Sequence, residues 1–486
     1  MKINGGRGGV MTQQAIEQTD HHGSDSAWWN PWHWPMGIWA LVIGAVLLIL
    51  PFGIRAVLLQ GVPSMAEPFD IAEFSKWDVL ESDDAFTEYR RASEQRSKIA
   101  GGLQANGRPD PESISAVLQS GWSASDDALK EWLKAYAEPL ATWRRGTGRT
   151  HGLNQRPDTV SLETVVSIIQ DQRFFCRMAL CEQAKAQAES RYEESYQWAR
   201  AAFRCGGHCS HRGCLIQALV ASASHAVACR GLQHWSAQAP VTEEQLQQAL
   251  ATARADYELY ETRSNILKAE YLAVRNSLAS SRWLQVTGTG GAGGKDTAMA
   301  QLMRFGFWTI GEPELSARLF RQMLANQIQE VDKPMAQRRK HAGNGLAMLF
   351  VPDPAVPLLP GQLDPARIDQ GIKKSLVLQA LAPSVKQVDT ALLRQEARQQ
   401  ALIVMLALQA YRRRHGDFPE ALVSLVPDFL NAVPLDPCDR AGGQLLYHRD
   451  GLLRATVWSV GDDGADSGGE VDSETSQPPD VGFTLQ

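Results

Sequence analysis

The sequence predicts a mainly α-helical protein with one N-terminal transmembrane helix, an α-helical bundle body and a small α+β module at the C-terminus. Three observations carry this reading. An uncharged apolar run stands near the N-terminus, apolar residues recur at three- and four-residue spacing between about Pro111 and Trp283, and a two-strand pattern flanks Asp450-Gly451 near the C-terminus.

The apolar run Met36–Ile54 contains 19 residues and no charge. At 1.5 Å per residue such a helix covers ~28 Å, close to the ~30 Å hydrocarbon layer of a bilayer. Arg55 can snorkel to the interface, which extends the predicted span to 36–59. Trp28, Trp29, Trp32, Trp34 and Trp39 crowd its first end as an interfacial aromatic belt. A cleaved signal peptide fits less well, because the apolar region is too long and no basic segment abuts it. Residues 1–35 read as a disordered tail. Lys2 and Arg7 on one side nearly balance Arg55 and Lys76 on the other, so charge leaves the orientation open.

With 44% hydrophobic and 21% charged residues, the remaining chain is globular in composition. The net charge of −6 argues against a general nucleic-acid partner, which would require a basic face. The acidity is concentrated between Gly461 and Gln486, where seven acids stand without a lysine or arginine.

Residues 61–286 are expected to form an α-helical domain. Short amphipathic pieces at Ile71–Leu80 and Asp83–Ile99 precede a turn cluster at Asn106–Pro111. One helix is expected from about Ser161 to Phe203 and a second from Leu215 to Leu232. A third opens on the capping box Thr242–Gln245 and continues to Trp283. Residues 287–296 are a Gly-rich linker by composition. The segment 297–394 combines a helical stretch at Thr297–Leu324 with a proline-rich irregular connection at 351–365. A last helix, Gln395–Arg413, leads into the C-terminal module of 395–486.

Two segments invite chemical readings. Gly288, Gly290 and Gly293 match the dinucleotide-binding glycine pattern, but they follow a helix rather than a strand and no βαβ unit surrounds them, which favours the linker. Cys205, His208, Cys209, His211 and Cys214 are all competent zinc ligands, compressed into ten residues. Three readings stay open: a metal site, a disulfide among the thiols, or a helix–helix turn bent at Gly206, Gly207 and Gly213 with the cysteines as small apolar side chains. The chain holds seven cysteines, so they cannot all pair internally. Neither G-x-S-x-G nor H-E-x-x-H occurs, and no catalytic residue is assigned.

The C-terminal module carries the most specific pattern. A helix end at Leu408–Arg414 meets a turn at His415-Gly416, and a short helix is expected from Pro419. Val433–Pro437 then brakes the chain, and Leu445–Val460 reads as a hairpin with a two-residue type I′ turn at Asp450-Gly451. Tyr411, Gly416, Phe418, Pro419, Val426, Pro427, Pro434, Asp436, Pro437, Tyr447, Trp458, Ser459, Gly461, Asp463 and Gly464 fall in the order in which this region resembles the C-terminal domain of the major pseudopilin of type II secretion systems. The resemblance implies a calcium ion at the acidic loop. Asp463 matches that motif, with Asp466 and Asp472 as nearby oxygen donors; a solvated acidic tail without metal is the alternative. No pilin processing site precedes the module, and the predicted span lies far upstream, which argues against assembly into a pilus.

The whole arrangement is similar to large uncharacterised single-span proteins of planctomycete-type bacteria. In those, a turn like Ala202–His208 separates two body helices. The similarity implies a plasma-membrane protein with most of its chain outside the cytoplasm. It also implies a non-enzymatic role in protein–protein contacts, with the lipid bilayer and envelope proteins as partners. An envelope enzyme or metal-binding protein centred on Cys205–Cys214 is the competing expectation.

Overall fold

The computed structural model describes residues 35–102, 111–161, 166–280, 298–343, 345, 347–471 and 478–486. The predicted tail 1–35 (save Pro35), the tryptophans before Trp39, most of the Asn106–Pro111 turn, the linker 287–296 and Asp472 lie outside the described residues.

Local signals start and stop many of the helices. α1 (Met36–Gln60) is apolar on every side and buries no residue. After the short α2 (Ile71–Ser75) come α3 (Ala85–Gly102), α4 (Pro111–Ser120), α5 (Asp127–Ala135) and α6 (Ala137–Thr147). The Asp126 carboxylate caps α5 by accepting from Leu129 N at 2.7 Å, which satisfies one of the unpaired amides of the first turn. α7 (Val166–Ala188), α8 (Tyr192–Ser210) and α9 (Leu215–Ser236) are joined by short turns and pack on one another. The predicted single helix through Ser161–Phe203 is therefore two. Ser190 sits at φ 59°, and Arg191 N donates back to Ala186 O at 2.8 Å, a left-handed helix end that the polar run Glu189-Ser190-Arg191 permits.

The predicted third helix is also interrupted. α10 (Glu243–Tyr257) carries the expected capping box, with Gln245 N donating to Thr242 Oγ1 at 3.3 Å. It ends at the turn 258–262, and Thr262 then caps α11 (Arg263–Ala279). Likewise α12 (Ala298–Thr309) and α13 (Glu314–Gln327) replace one continuous stretch, because Gly311 takes φ 97° and Pro313 follows it. α14 (Pro365–Ile372) precedes α15 (Leu376–His415), which at 40 residues starts well before the expected Gln395. Ser375 caps α15 at its start, and Gly416 at φ 89° closes it.

α15 is the axis of the fold. Its residues 401–408 are buried on all sides, a pattern that only a central helix tolerates. It packs on α9, α10 and the sheet, and one apolar core runs from Val62 to Leu485. α9 is apolar and long enough to cross a membrane, but it is mostly buried between its neighbours and is a core helix.

The C-terminal sheet has three antiparallel strands in the order β1 (Leu446–Arg449), β2 (Ala455–Ser459), β3 (Val481–Leu485). The last hairpin pair is Arg449 with Ala455, so residues 450–454 form a five-residue loop rather than the expected two-residue turn. Asp450-Gly451 opens that loop, and Gly451 keeps its positive φ of 75°. Beyond Pro419 the chain makes only a short 3-10 turn at Leu422–Leu425. β3 is absent from the sequence reading because its Val481, Phe483, Leu485 alternation is only five residues long and follows an acidic run.

Candidate functional site

The five predicted zinc ligands fall into three separate environments. Cys205, His208 and Cys209 lie on the buried face of α8, toward α3 and α7. The Tyr89 hydroxyl is 2.9 Å from His208 Nδ1, and His208 Nε2 is 3.1 Å from Arg149 O. A carbonyl only accepts, so Nε2 carries the proton and Nδ1 accepts from Tyr89. Both ring nitrogens are thus committed, and burial pushes the His208 pKa down to about 3. Cys205 Sγ is 4.0 Å from Cys209 Sγ and 3.9 Å from Gln172 Oε1, which also accepts from Trp143 Nε1 at 3.1 Å. Burial raises the Cys205 thiol well above its ordinary value, so it stays protonated, unlike the thiolate that binds metal or attacks carbon.

His211 points elsewhere. It stands 3.4 Å from Glu261 and packs against the Trp77 ring. Cys214 occupies the position before α9, where burial lifts its thiol to about 12. All seven cysteines are buried and unpaired, and no group of three or more His, Cys, Asp or Glu among the described residues is arranged to hold a metal.

The bend between α8 and α9 is at His211–Gly213, with Arg212 at φ 46°; Gly206 and Gly207 lie inside α8. Their role is close approach. A Cβ on Gly206 would stand 2.3 Å from Tyr260 Oη, and one on Gly207 would stand 2.6 Å from Leu259 Cβ. The α10–α11 turn therefore seats directly on the α8 backbone, with Tyr260 Oη donating to Phe203 O at 2.7 Å.

Beside this turn, Glu270 on α11 accepts from Leu215 N at 3.0 Å, and burial raises its carboxyl pKa to about 7. A raised carboxyl pKa means that the folded state holds its proton more tightly than the unfolded chain. Stability from this group is greatest below the unfolded pKa and declines as pH rises toward 7. Chemical denaturation between pH 5 and 8 should show a loss of roughly 2–3 kcal/mol. Glu270→Gln should flatten that profile, and an unchanged profile would show that Glu270 is not its source.

The acidic segment is folded where it is described. Asp463 Oδ1 accepts from Ala465 N at 3.0 Å, while Asp466 Oδ1 accepts from Trp458 Nε1 and from Gly468 N, both at 2.9 Å. Asp480, which the sequence did not single out, is fully buried and accepts from Ser467 N, Gly469 N and Glu470 N at 3.3, 2.8 and 3.2 Å. Backbone amides thus order residues 467–470 around Asp480, at the start of β3.

Sequence reasoning also missed a cleft of about 720 Å³ between the helical body and the C-terminal module. α4, α7, α9, α15 and β3 wall it, and five arginines line it: Arg173, Arg177, Arg230, Arg394 and Arg398. Asp480 is the only carboxylate among the described residues that line it. The i,i+4 spacing of Arg173 with Arg177, and of Arg394 with Arg398, was legible in the sequence, but which neighbours those faces meet was not.

Comparison with family models, curated proteins and solved structures gives no match for this chain.

Proposed function

We propose that this chain is a single-span, membrane-anchored protein of the cell envelope whose body lies outside the cytoplasm and makes non-enzymatic protein–protein contacts in secretion or surface machinery. The observation that carries the anchoring is α1, whose residues 36–54 carry no charge and which buries none of its residues. Inside a soluble body such a helix would be covered; in a bilayer it needs no cover.

The surroundings of α1 support the same reading. Arg55 Nη1 donates to Trp308 O at 2.8 Å and to Glu312 O at 3.3 Å, and Phe52 meets the Trp308 ring edge-on. α12 is thereby held against the body-proximal end of α1, with Met299, Leu302, Met303 and Phe305 exposed. An exposed apolar helix beside a spanning helix suits the headgroup layer. The orientation rests on the pseudopilin-like order of the C-terminal module, and the non-enzymatic role on the similarity to single-span envelope proteins.

The full chain should sediment with membranes and remain there after alkaline carbonate. Leu47→Arg with Leu48→Arg should release it, since each arginine at mid-bilayer costs roughly 2.5–3.5 kcal/mol. In spheroplasts, external protease should degrade the body and spare an N-terminal tag. Carbonate release of the unmodified chain would defeat the anchor, and a protected body would reverse the orientation.

A further inference from the structure

The cleft gathers five arginines, of which Arg398 is largely buried and Arg173 and Arg230 are exposed to solvent. Arg394 is neutralised by Asp462 at 2.6 Å, and Arg177 donates to Ser115 Oγ at 3.4 Å. Arg173, Arg230 and Arg398 have no hydrogen bond or ion pair among the described residues. Arg173 and Arg177 form a like-charge pair at i,i+4 spacing on α7, which is destabilising. Burial lowers the Arg398 pKa, and Arg394 and Arg230 push it the same way. Asp480 makes no ion pair with these guanidinium groups, since its oxygens accept from three backbone amides.

Guanidinium groups from three different helices, α7, α9 and α15, therefore line one concavity, and among the described residues only Arg394 is ion-paired. Beside them Leu180, Val227 and Phe483 contribute apolar side chains to the lining. Its volume lies within the range of ~300–1,000 Å³ typical of small-molecule sites, which combine an apolar lining with a few fixed polar groups. Arginine matches the oxygens of phosphate and carboxylate with paired N–H donors.

We propose that this cleft binds a small organic molecule bearing a multiply charged oxyanion, whose charge is held by Arg398, Arg230 and Arg173 while its apolar part rests against Leu180, Val227 and Phe483. The site is independent of the membrane reading, since it is formed by the body and the C-terminal module alone. It joins those two parts, so occupancy ties β3 and α15 to α7 and α9.

The test uses the detergent-solubilised full chain and isothermal titration with phenyl phosphate, inorganic phosphate, citrate and phenol. Phenyl phosphate should bind saturably and more tightly than inorganic phosphate, and phenol should not bind. Stronger binding of citrate than of phenyl phosphate would support the same site and assign it to polycarboxylates. Arg398→Gln and Arg230→Gln should each weaken binding about tenfold or more, the size of a lost charge-assisted hydrogen bond. Arg414→Gln, which alters an arginine paired with Glu243 and Asp428 elsewhere, should leave binding unchanged. Without ligand, Arg230→Gln should melt no lower than the parent chain, because it removes repulsion; this exposed position keeps the test valid if Arg398→Gln fails to fold. Absence of saturable binding by any of the anions at millimolar concentration would overturn the proposal, as would equal weakening by Arg414→Gln.

Discussion

Replacing Gly206 with alanine is expected to destabilise the protein by about 2 kcal/mol, although alanine is the better helix former. Helix propensity alone favours the substitution by ~1 kcal/mol. Against that, the added Cβ would lie 2.3 Å from Tyr260 Oη and 3.1 Å from Ala221 O, with backbone on one side and a hydrogen-bonded ring on the other. Overpacking of this kind costs ~1–3 kcal/mol, and displacing Tyr260 breaks its bond to Phe203 O for roughly another 1–1.5. Adding Gly207→Ala, whose Cβ would meet Leu259 at 2.6 Å, should raise the total by about 1 kcal/mol. Urea denaturation measures both. Tyr260→Phe should recover part of the loss in the Gly206→Ala background, because it removes the atom in closest conflict. If Gly206→Ala instead stabilises the chain by its helix propensity, the close approach of the α10–α11 turn is wrong.

Asp436→Ala should cost about 4 kcal/mol. The Asp436 carboxylate is buried and accepts from Cys438 N at 2.9 Å, Ser459 Oγ at 2.6 Å and Val460 N at 2.9 Å. It fastens the Pro434–Pro437 turn to the end of β2. Removing it orphans three donors, each worth ~1–3 kcal/mol when left buried and unsatisfied. Asp436→Asn should cost less, since one amide oxygen still accepts, while the amide nitrogen faces donors. Thermal unfolding of both variants, with far-ultraviolet dichroism to show that the helices persist, checks the order. Equal stability of Asp436→Ala and the parent chain would contradict the network.

The two residues differ in how far sequence reading reached them. Asp436 was picked out by position, within a Pro-x-Asp-Pro turn ahead of a predicted hairpin, but its partners Ser459 and Val460 lie more than twenty residues on. Gly206 and Gly207 were read as a bend, because paired glycines usually mark one. Their actual role depends on Leu259 and Tyr260, more than fifty residues away. The same limit explains the Cys/His segment. Five metal-competent side chains in ten residues look like one site in a line of text, yet a helix face separates Cys205, His208 and Cys209 from His211 and Cys214.

What the amino-acid sequence determined by itself is whatever acts within a few residues. The uncharged run from Met36, the caps at Thr242 and Asp126, the glycine stop at Gly416 and the mainly helical class all follow from local propensity, backbone hydrogen bonding and apolar periodicity. Tertiary structure decided where the long helices break, that β3 completes the sheet, and that arginines from α7, α9 and α15 line one cleft. The physical reason is one of range. A cap or an apolar stripe is satisfied by its own neighbours in the chain, whereas the charge, burial and close approach of a side chain are set by elements that meet it only after folding.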